Sequence, residues 1–417
     1  MPAGAAGAKP LRLAEVDAAA VPHVPSGIPE FDRVLGGGLV PGSVILLAGE
    51  PGVGKSTLAL QLAAGIAPAP VLYISGEESP EQIRLRADRM PALPERIVVL
   101  AETQVEALSG PWREVGPAVV VVDSIQTLRT ERVESAPGSV AQVRECAALL
   151  AGFAKRQGAA LVLVGHVTKE GTIAGPRVLE HLVDVVLHFE GDRGHAFRLL
   201  RARKNRFGST QEVGVFAMGS AGLETVANPS ELFLAERRSG APGSCVAPLV
   251  EGTRPMLVEI QALVAPAGYG TARRTSIGID DGRLALLLAV LDRRAGVDLL
   301  SRDVYANAVG GVRVGEPGAD LAIALALASS RLDVALPADV AACGEVGLGG
   351  EIRRVPRTDL RVREAVRLGF RRILLPEGVP EAGQAPPGAE VIPVPDVAAA
   401  VRWLRASKSV HGGEHDR

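Results

Sequence analysis

Between residues 44 and about 226 short apolar runs alternate with stretches of helical periodicity. Val44-Ile45-Leu46-Leu47-Ala48 is apolar at every position. That is the pattern of a strand buried on both faces, not of one with a solvated side. Similar runs fall at 71–74, 97–100, 118–122, 161–164 and 185–189. Helices are predicted at 56–64, around 80–89 and over 140–157. Strands joined through helices need crossover connections, so the pattern predicts an α/β domain: a mainly parallel sheet with helices on both faces.

The texture changes after 227. Asn228, Pro229, Ser239, Gly240, Pro242 and Gly243 make 228–244 rich in turn formers, and a linker is predicted there. Beyond it, 245–265 carries paired strand-like runs. Helices are predicted at 283–291, 318–330 and 360–368, a hairpin at 344–355 and a strand at 372–375. This is a second α/β unit. The predicted organisation is a flexible segment over 1–25, one domain over 26–227, the linker, a second domain over 245–405 and a disordered tail over 406–417.

The chain has 417 residues and a net charge of −2, so a nucleic-acid partner needs a local basic patch. Cys146, Cys245 and Cys343 are too far apart for a metal-ligand pair and suggest neither a zinc site nor a disulfide framework. No basic-then-apolar leader opens the sequence and no uncharged apolar run reaches 18 residues, so the expectation is a cytoplasmic protein without a membrane span. Of 45 basic residues only six are lysine. Three of those six (Lys55, Lys169 and Lys204) fall in the candidate motifs.

Gly49-Glu50-Pro51-Gly52-Val53-Gly54-Lys55-Ser56 has the spacing G-x-x-x-x-G-K-S between a predicted strand and a predicted helix. Its glycines let successive amides turn inward around phosphate oxygens, and the helix adds the positive end of its dipole. Lys55 is expected to reach the β- and γ-phosphates of ATP, and Ser56 to ligate Mg²⁺, with Thr57 completing the loop. Asp123 ends the run 118–122 and is a second candidate for the Mg²⁺ shell. Glu77 and Glu78 follow the strand at 71–75. Either could orient the attacking water; Glu77 is the favoured base and Glu78 the favoured cap of the next helix. His166 ends another strand, where a polar group can sense the γ-phosphate.

A second cluster is basic. Arg193, Arg198, Arg201, Arg203, Lys204 and Arg206 lie within fourteen residues without one acidic residue. Such a run suits a phosphate backbone, though charge runs are often plain solvated faces. Aromatic residues make up only 3% of the chain, so stacking on bases is not the main grip; Phe207 is a candidate stacking side chain.

Three stretches go beyond a generic phosphate loop: Leu35-Gly36-Gly37-Gly38-Leu39-Val40-Pro41-Gly42-Ser43, the stretch Ser135 to Glu145, and Lys204-Asn205-Arg206-Phe207-Gly208. Through them the chain resembles the RadA (Sms) family of bacterial DNA-repair ATPases from about Ser26 to about Leu404. The resemblance implies a RecA-like ATPase domain followed by a Lon-protease-like domain. It also implies a homo-hexameric ring promoting branch migration on single-stranded and branched DNA beside a RecA-like recombinase. In motors of this kind a loop after the strand ending at His166 faces the DNA channel, which makes Lys169 a candidate backbone contact. Lys204 and Arg206 could act across a subunit boundary on a neighbour's ATP, or grip DNA. The family's four-cysteine zinc finger is expected to be absent, since no cysteine precedes Cys146. Where a Lon-type Ser nucleophile would lie the chain reads Pro317-Gly318-Ala319. Where the Lys would lie it reads Thr358-Asp359-Leu360, so proteolysis is not expected. An ATP-dependent protease and a non-motor ATPase on the same core are the competing readings.

Overall fold

The structure, a computed structural model, describes residues 22–66, 69–90, 96–166, 179–191, 197–268, 271–379 and 387–411. The expected flexible segment 1–25 therefore lies outside them up to residue 21. The chain forms two compact units, 1–188 with 202–209 and 189–201 with 210–417.

In the first unit β1 (Val44–Gly49), β2 (Val71–Ser75), β3 (Ile97–Ala101), β4 (Val119–Asp123), β5 (Ala160–His166) and β6 (Val185–Glu190) stand in the order β3-β2-β4-β5-β1-β6. The pairs β1–β5, β4–β5, β2–β4 and β2–β3 are parallel. β1, β2 and β4 are buried at every position, as expected of strands covered on both faces. α1 (Pro29–Leu35) precedes β1, and the connections run through α2 (Lys55–Gly65), α3 (Pro80–Ala87), α4 (Ser109–Val115) and α5 (Val140–Gln157).

α5 shows why these helices form where they do. Ser139 Oγ accepts the Gln142 amide at its start, and Gly158 closes it in the left-handed region at φ 69°. Val143, Cys146, Ala147, Leu150, Ala151 and Ala154 repeat at helical spacing and are buried against the sheet core.

The second unit begins with antiparallel strands. The 197–201 part of β7 (Phe197–Asn205) pairs with β8 (Val213–Gly219), which pairs with β9 (Gly222–Thr225). The parallel expectation thus holds for the paired strands β1 to β5 and gives way to hairpins here. β7 itself was hidden by its charges. Arg198, Leu200 and Ala202 are buried on one side, and Arg203 is exposed on the other, so strand alternation splits the basic run between two faces. α6 (Pro229–Leu234), capped by the Asn228 side chain, falls inside the segment read as a linker.

A seven-stranded sheet follows. β10 (Ser244–Glu251) and β11 (Arg254–Pro266) form a long hairpin, joined by β12 (Arg274–Ile277), β13 (Arg302–Ala308) and β14 (Val340–Ala342). The short hairpin β15 (Glu345–Val346) and β16 (Ile352–Arg353) stands at the predicted place. β17 (Arg372–Pro376) and β18 (Glu390–Val394) complete the order β12-β13-β11-β10-β14-β17-β18. Cys245, Ala247 and Leu249 face a core shared with α7 (Asp281–Ala295), α8 (Asp320–Leu332) and the C-terminal helix α10 (Val397–His411). Val246 and Leu257 face the opposite side, with Val362 and Ala365 of α9 (Thr358–Arg367). α10 (Val397–His411) runs into the segment expected to be disordered. Its buried Val397, Ala400, Val401 and Leu404 give it an apolar stripe to anchor.

All three cysteines are free and buried. Burial pushes each thiol up to about 12, so they are packing groups and not nucleophiles. Leu150 has no exposed surface. Leu150→Ala is expected to cost about 2–5 kcal/mol, read as a lower urea midpoint at unchanged slope; an unshifted midpoint would contradict this packing.

Candidate nucleotide site and the Lys204 motif

Parallel register assembles the site. Ser75 lies beside Asp123, Asp123 beside Val164, and Gly49 beside His166. Four strand ends therefore open on one edge, the carboxyl edge where α/β sheets present their ligand-binding loops. The phosphate loop links β1 to α2 there. Gly52 at φ 81° and Gly54 at φ 108° take backbone conformations that a Cβ would strain. That turn is what allows successive amides to face one point.

Lys55 is 4% exposed. Its Nζ donates to the carbonyls of Gly49 and Glu50, both at 2.9 Å. Burial lowers its pKa to about 8, opposed by the nearby carboxylates of Asp123 and Glu77. The ammonium thus sits inside its own loop, desolvated, with carbonyl dipoles as direct partners. A glycine turn around a buried cation fits a triphosphate.

Asp123 is buried at the end of β4. Tyr73 Oη donates to its Oδ2 at 2.8 Å, and Oδ1 has no hydrogen-bond partner among the described residues. Burial, with the adjacent Asp123 carboxylate, holds the Tyr73 hydroxyl protonated well above its usual range. It is a fixed donor that orients the carboxylate. The sequence reading missed Tyr73, whose one signal is a hydroxyl inside a fully buried strand.

The two glutamates separate. Glu78 pairs with Arg86. It does not cap α3, as the sequence suggested: Ser79 does, in a reciprocal capping box with Gln82. Glu77 turns the other way. Its Oε1 accepts the Ser124 hydroxyl at 2.5 Å and lies 3.4 Å from His166 Nε2. Gln126 Nε2 donates to the His166 carbonyl at 3.4 Å. Ser124 and Gln126 were also missed; they sit in the turn directly after Asp123, where only the strand register shows them to be close to Glu77 and His166.

The stretch 204–208 is braced within its own unit. Lys204 Nζ donates to the carbonyls of Glu180 and Val183 at 2.6 and 2.7 Å. Asn205 Nδ2 reaches the Val34 and Leu35 carbonyls at the end of α1, both at 3.3 Å, where helix carbonyls lack internal donors. Asn205 Oδ1 accepts the Phe207 amide at 2.9 Å. Arg206 Nη1 donates to Asp184 Oδ1 at 2.9 Å, and Asp184 Oδ2 accepts the Val44 amide at 3.0 Å. The motif is thereby tied to the strand that leads into the phosphate loop. Phe207 is 39% exposed, and Gly208 lies against Gly36.

The basic run is not one open face. Arg198 is buried, and Arg201 pairs with Glu190 and Glu251. Lys169, with the stretch 168–175, lies outside the described residues, as do Arg193 and His195. Among the described residues no helix is long and apolar enough to cross a membrane.

A phosphate loop, a strand-end carboxylate and a glutamate–histidine pair at one sheet edge define a P-loop nucleotide-binding protein of α/β build. The family described as "AAA domain" matches residues 8–172. The chain is 51% identical to DNA repair protein RadA of Halalkalibacterium halodurans, over 94% of this chain and 87% of that protein. The same-named proteins of Bacillus subtilis and Pseudomonas aeruginosa are 52% and 50% identical, over 94% and 92% of this chain and 86% and 84% of theirs. The chain belongs to the RadA family of DNA repair proteins. Among solved structures it is similar to a KaiC-like protein of Pyrococcus horikoshii (23% identity, TM-score 0.41) and to the RadB recombinase (23%, TM-score 0.40); each match covers 49% of this chain and 99% of the other.

Lys55 gives a pH dependence. Below about pH 8 the unliganded lysine is charged and ready for phosphate. Above it the free protein holds a neutral amine, and binding must first take up a proton. Nucleotide affinity is expected to be flat below about pH 8 and to weaken by up to about tenfold per pH unit above it. Calorimetry at pH 8.5 in buffers of different ionisation heat should show proton uptake on binding; none would contradict the assignment.

Proposed function

We propose that the chain is an ATP-driven motor of recombinational repair, acting as a homo-hexameric ring on single-stranded and branched DNA beside a RecA-like recombinase in the cytoplasm. The observation that carries the reading is the convergence of Lys55, Asp123, Glu77 and His166 on one sheet edge, with the 204–208 motif braced to the strand feeding that edge.

In this reading Lys55 exchanges its two loop carbonyls for the β- and γ-phosphates of ATP. Ser56 and the free Oδ1 of Asp123 hold Mg²⁺, which when bound neutralises charge on the same phosphates. Tyr73 keeps Asp123 aimed. Glu77 orients the attacking water, held by Ser124 on one side and by His166 on the other. His166 is placed to feel the loss of the γ-phosphate and to pass it to the segment that follows β5.

Lys204 and Arg206 hold partners in their own subunit, and this favours coupling through bracing over free phosphate contacts. Asp184 joins Arg206 to the first amide of β1, so a shift at the phosphate loop has a contiguous path to the motif. Arg203, on the exposed side of β7, and Phe207 remain candidates for DNA contact.

A Lon-type protease is disfavoured on geometry as well as on residue identity. A Cβ at Gly318 would come within 2.9 Å of Arg361 Nη1. That guanidinium is buried, donating to the Pro248 carbonyl and to Glu316, each at 2.8 Å. A serine side chain at 318 would meet the Arg361–Glu316 ion pair.

Lys55→Ala is expected to abolish hydrolysis. Lys204→Ala is expected to keep nucleotide affinity within about threefold while DNA stimulation of hydrolysis falls by at least about tenfold, the effect of losing about 1.4 kcal/mol of coupling. The assay is steady-state ATPase at low salt with and without single-stranded DNA. A wild-type rate indifferent to DNA would overturn the motor reading.

A further inference from the structure

The seven-stranded sheet of the second unit is covered unevenly. On the side of Val246 and Leu257, α9 packs over the half that includes β14 and β17. The other half of that side bears Ser244, Glu259, Gln261, Leu263, Tyr305 and Asn307, which line a pocket of about 510 Å³. Strand register sets them in rows. Ser244 pairs with Gln261, Gln261 with Asn307 and Leu263 with Tyr305. Thr275 and Ile277 of β12 extend the rows beside Tyr305 and Asn307.

Glu259 stands at the floor, only 2% exposed. Ser244 Oγ donates to its Oε1. Its Oε2 has no hydrogen-bond partner among the described residues, and no cation pairs with it. A buried carboxylate with one hydroxyl partner carries a desolvation cost that a bound cation would offset. Glu236 and Arg238 also line the pocket.

The walls narrow the ligand. Leu263 and Ile277 are 60% and 53% exposed, an apolar shelf on which an aliphatic stem can lie. Gln261 and Asn307 line the same pocket, and an amide side chain carries an oxygen that can accept. A planar group with several N–H donors uses a carboxylate and flanking amide oxygens together, where a single ammonium uses fewer of them. We propose that this pocket is a binding site for a guanidinium group on an alkyl stem, with Glu259 as its recognising carboxylate. The proposal is independent of the nucleotide site.

The test uses the full chain and two probes, the tripeptide Ac-Ala-Arg-Ala-amide for a polypeptide side chain and agmatine for a free small guanidine, followed by calorimetry. Saturable binding of at least one probe is expected, with its citrulline counterpart or n-butylurea binding at least tenfold more weakly; the tighter probe identifies the source. Glu259→Gln should weaken binding at least tenfold while nucleotide affinity stays at the wild-type value. Asn307→Arg, which tethers a guanidinium at the wall, should block the pocket and serves if the first variant does not fold. Neither probe binding, or binding indifferent to both variants, would overturn the proposal.

Discussion

A buried ammonium group organises the nucleotide end of this molecule. Lys55 has lost nearly all its water, yet its direct partners are two main-chain carbonyls of its own loop. Desolvating a full charge is costly unless strong counter-charge is supplied. The loop carbonyls, with Asp123 and Glu77 at longer range, meet part of that cost. A triphosphate would meet the rest. Much of the surrounding architecture serves this one requirement: glycines that free the backbone to turn, a helix whose amino end points at the loop, and strands whose ends bring two carboxylates near without a direct ion pair.

The same economy runs through the second ring of contacts. Tyr73 takes one oxygen of Asp123 and leaves the other, so the carboxylate is both fixed and available. Arg86 occupies Glu78 and thereby leaves Glu77 as the glutamate beside Ser124 and His166. Asp184 bonds the first amide of β1 with one oxygen and Arg206 with the other. In each case one polar group satisfies a buried need while orienting a neighbour. That is how a site is held rigid enough for chemistry without an additional layer of structure.

The second unit answers a different problem. Its ion pair of Arg361 with Glu316 is held beside Gly318, where a Cβ would meet the guanidinium. The sheet and its helices set the fold of this unit, and activity is a separate matter of its sites. The open half of the same sheet, with Glu259 at its floor, is where polar capacity is left over.

What the sequence determined by itself is local and periodic. The buried strands of the ATPase sheet, the long helix from Val140 to Gln157, the phosphate loop and Asp123 were legible because burial on both faces, helical spacing and a glycine pattern all act within a few residues of chain. The 204–208 stretch was legible only as a motif. Its partners at Glu180, Val183, Asp184, Val34 and Leu35 were not, because they depend on which strands and helix ends come together. β7 was misread as a charge patch, since composition does not show that alternate arginines point to opposite faces. The closeness of Ser124 and His166 to Glu77, the aiming of Asp123 by Tyr73 and the filling of Gly318's space by Arg361 were decided by tertiary structure alone. These are contacts between residues tens to more than a hundred positions apart, and distance along a chain carries no information about them until the register of the sheets is set.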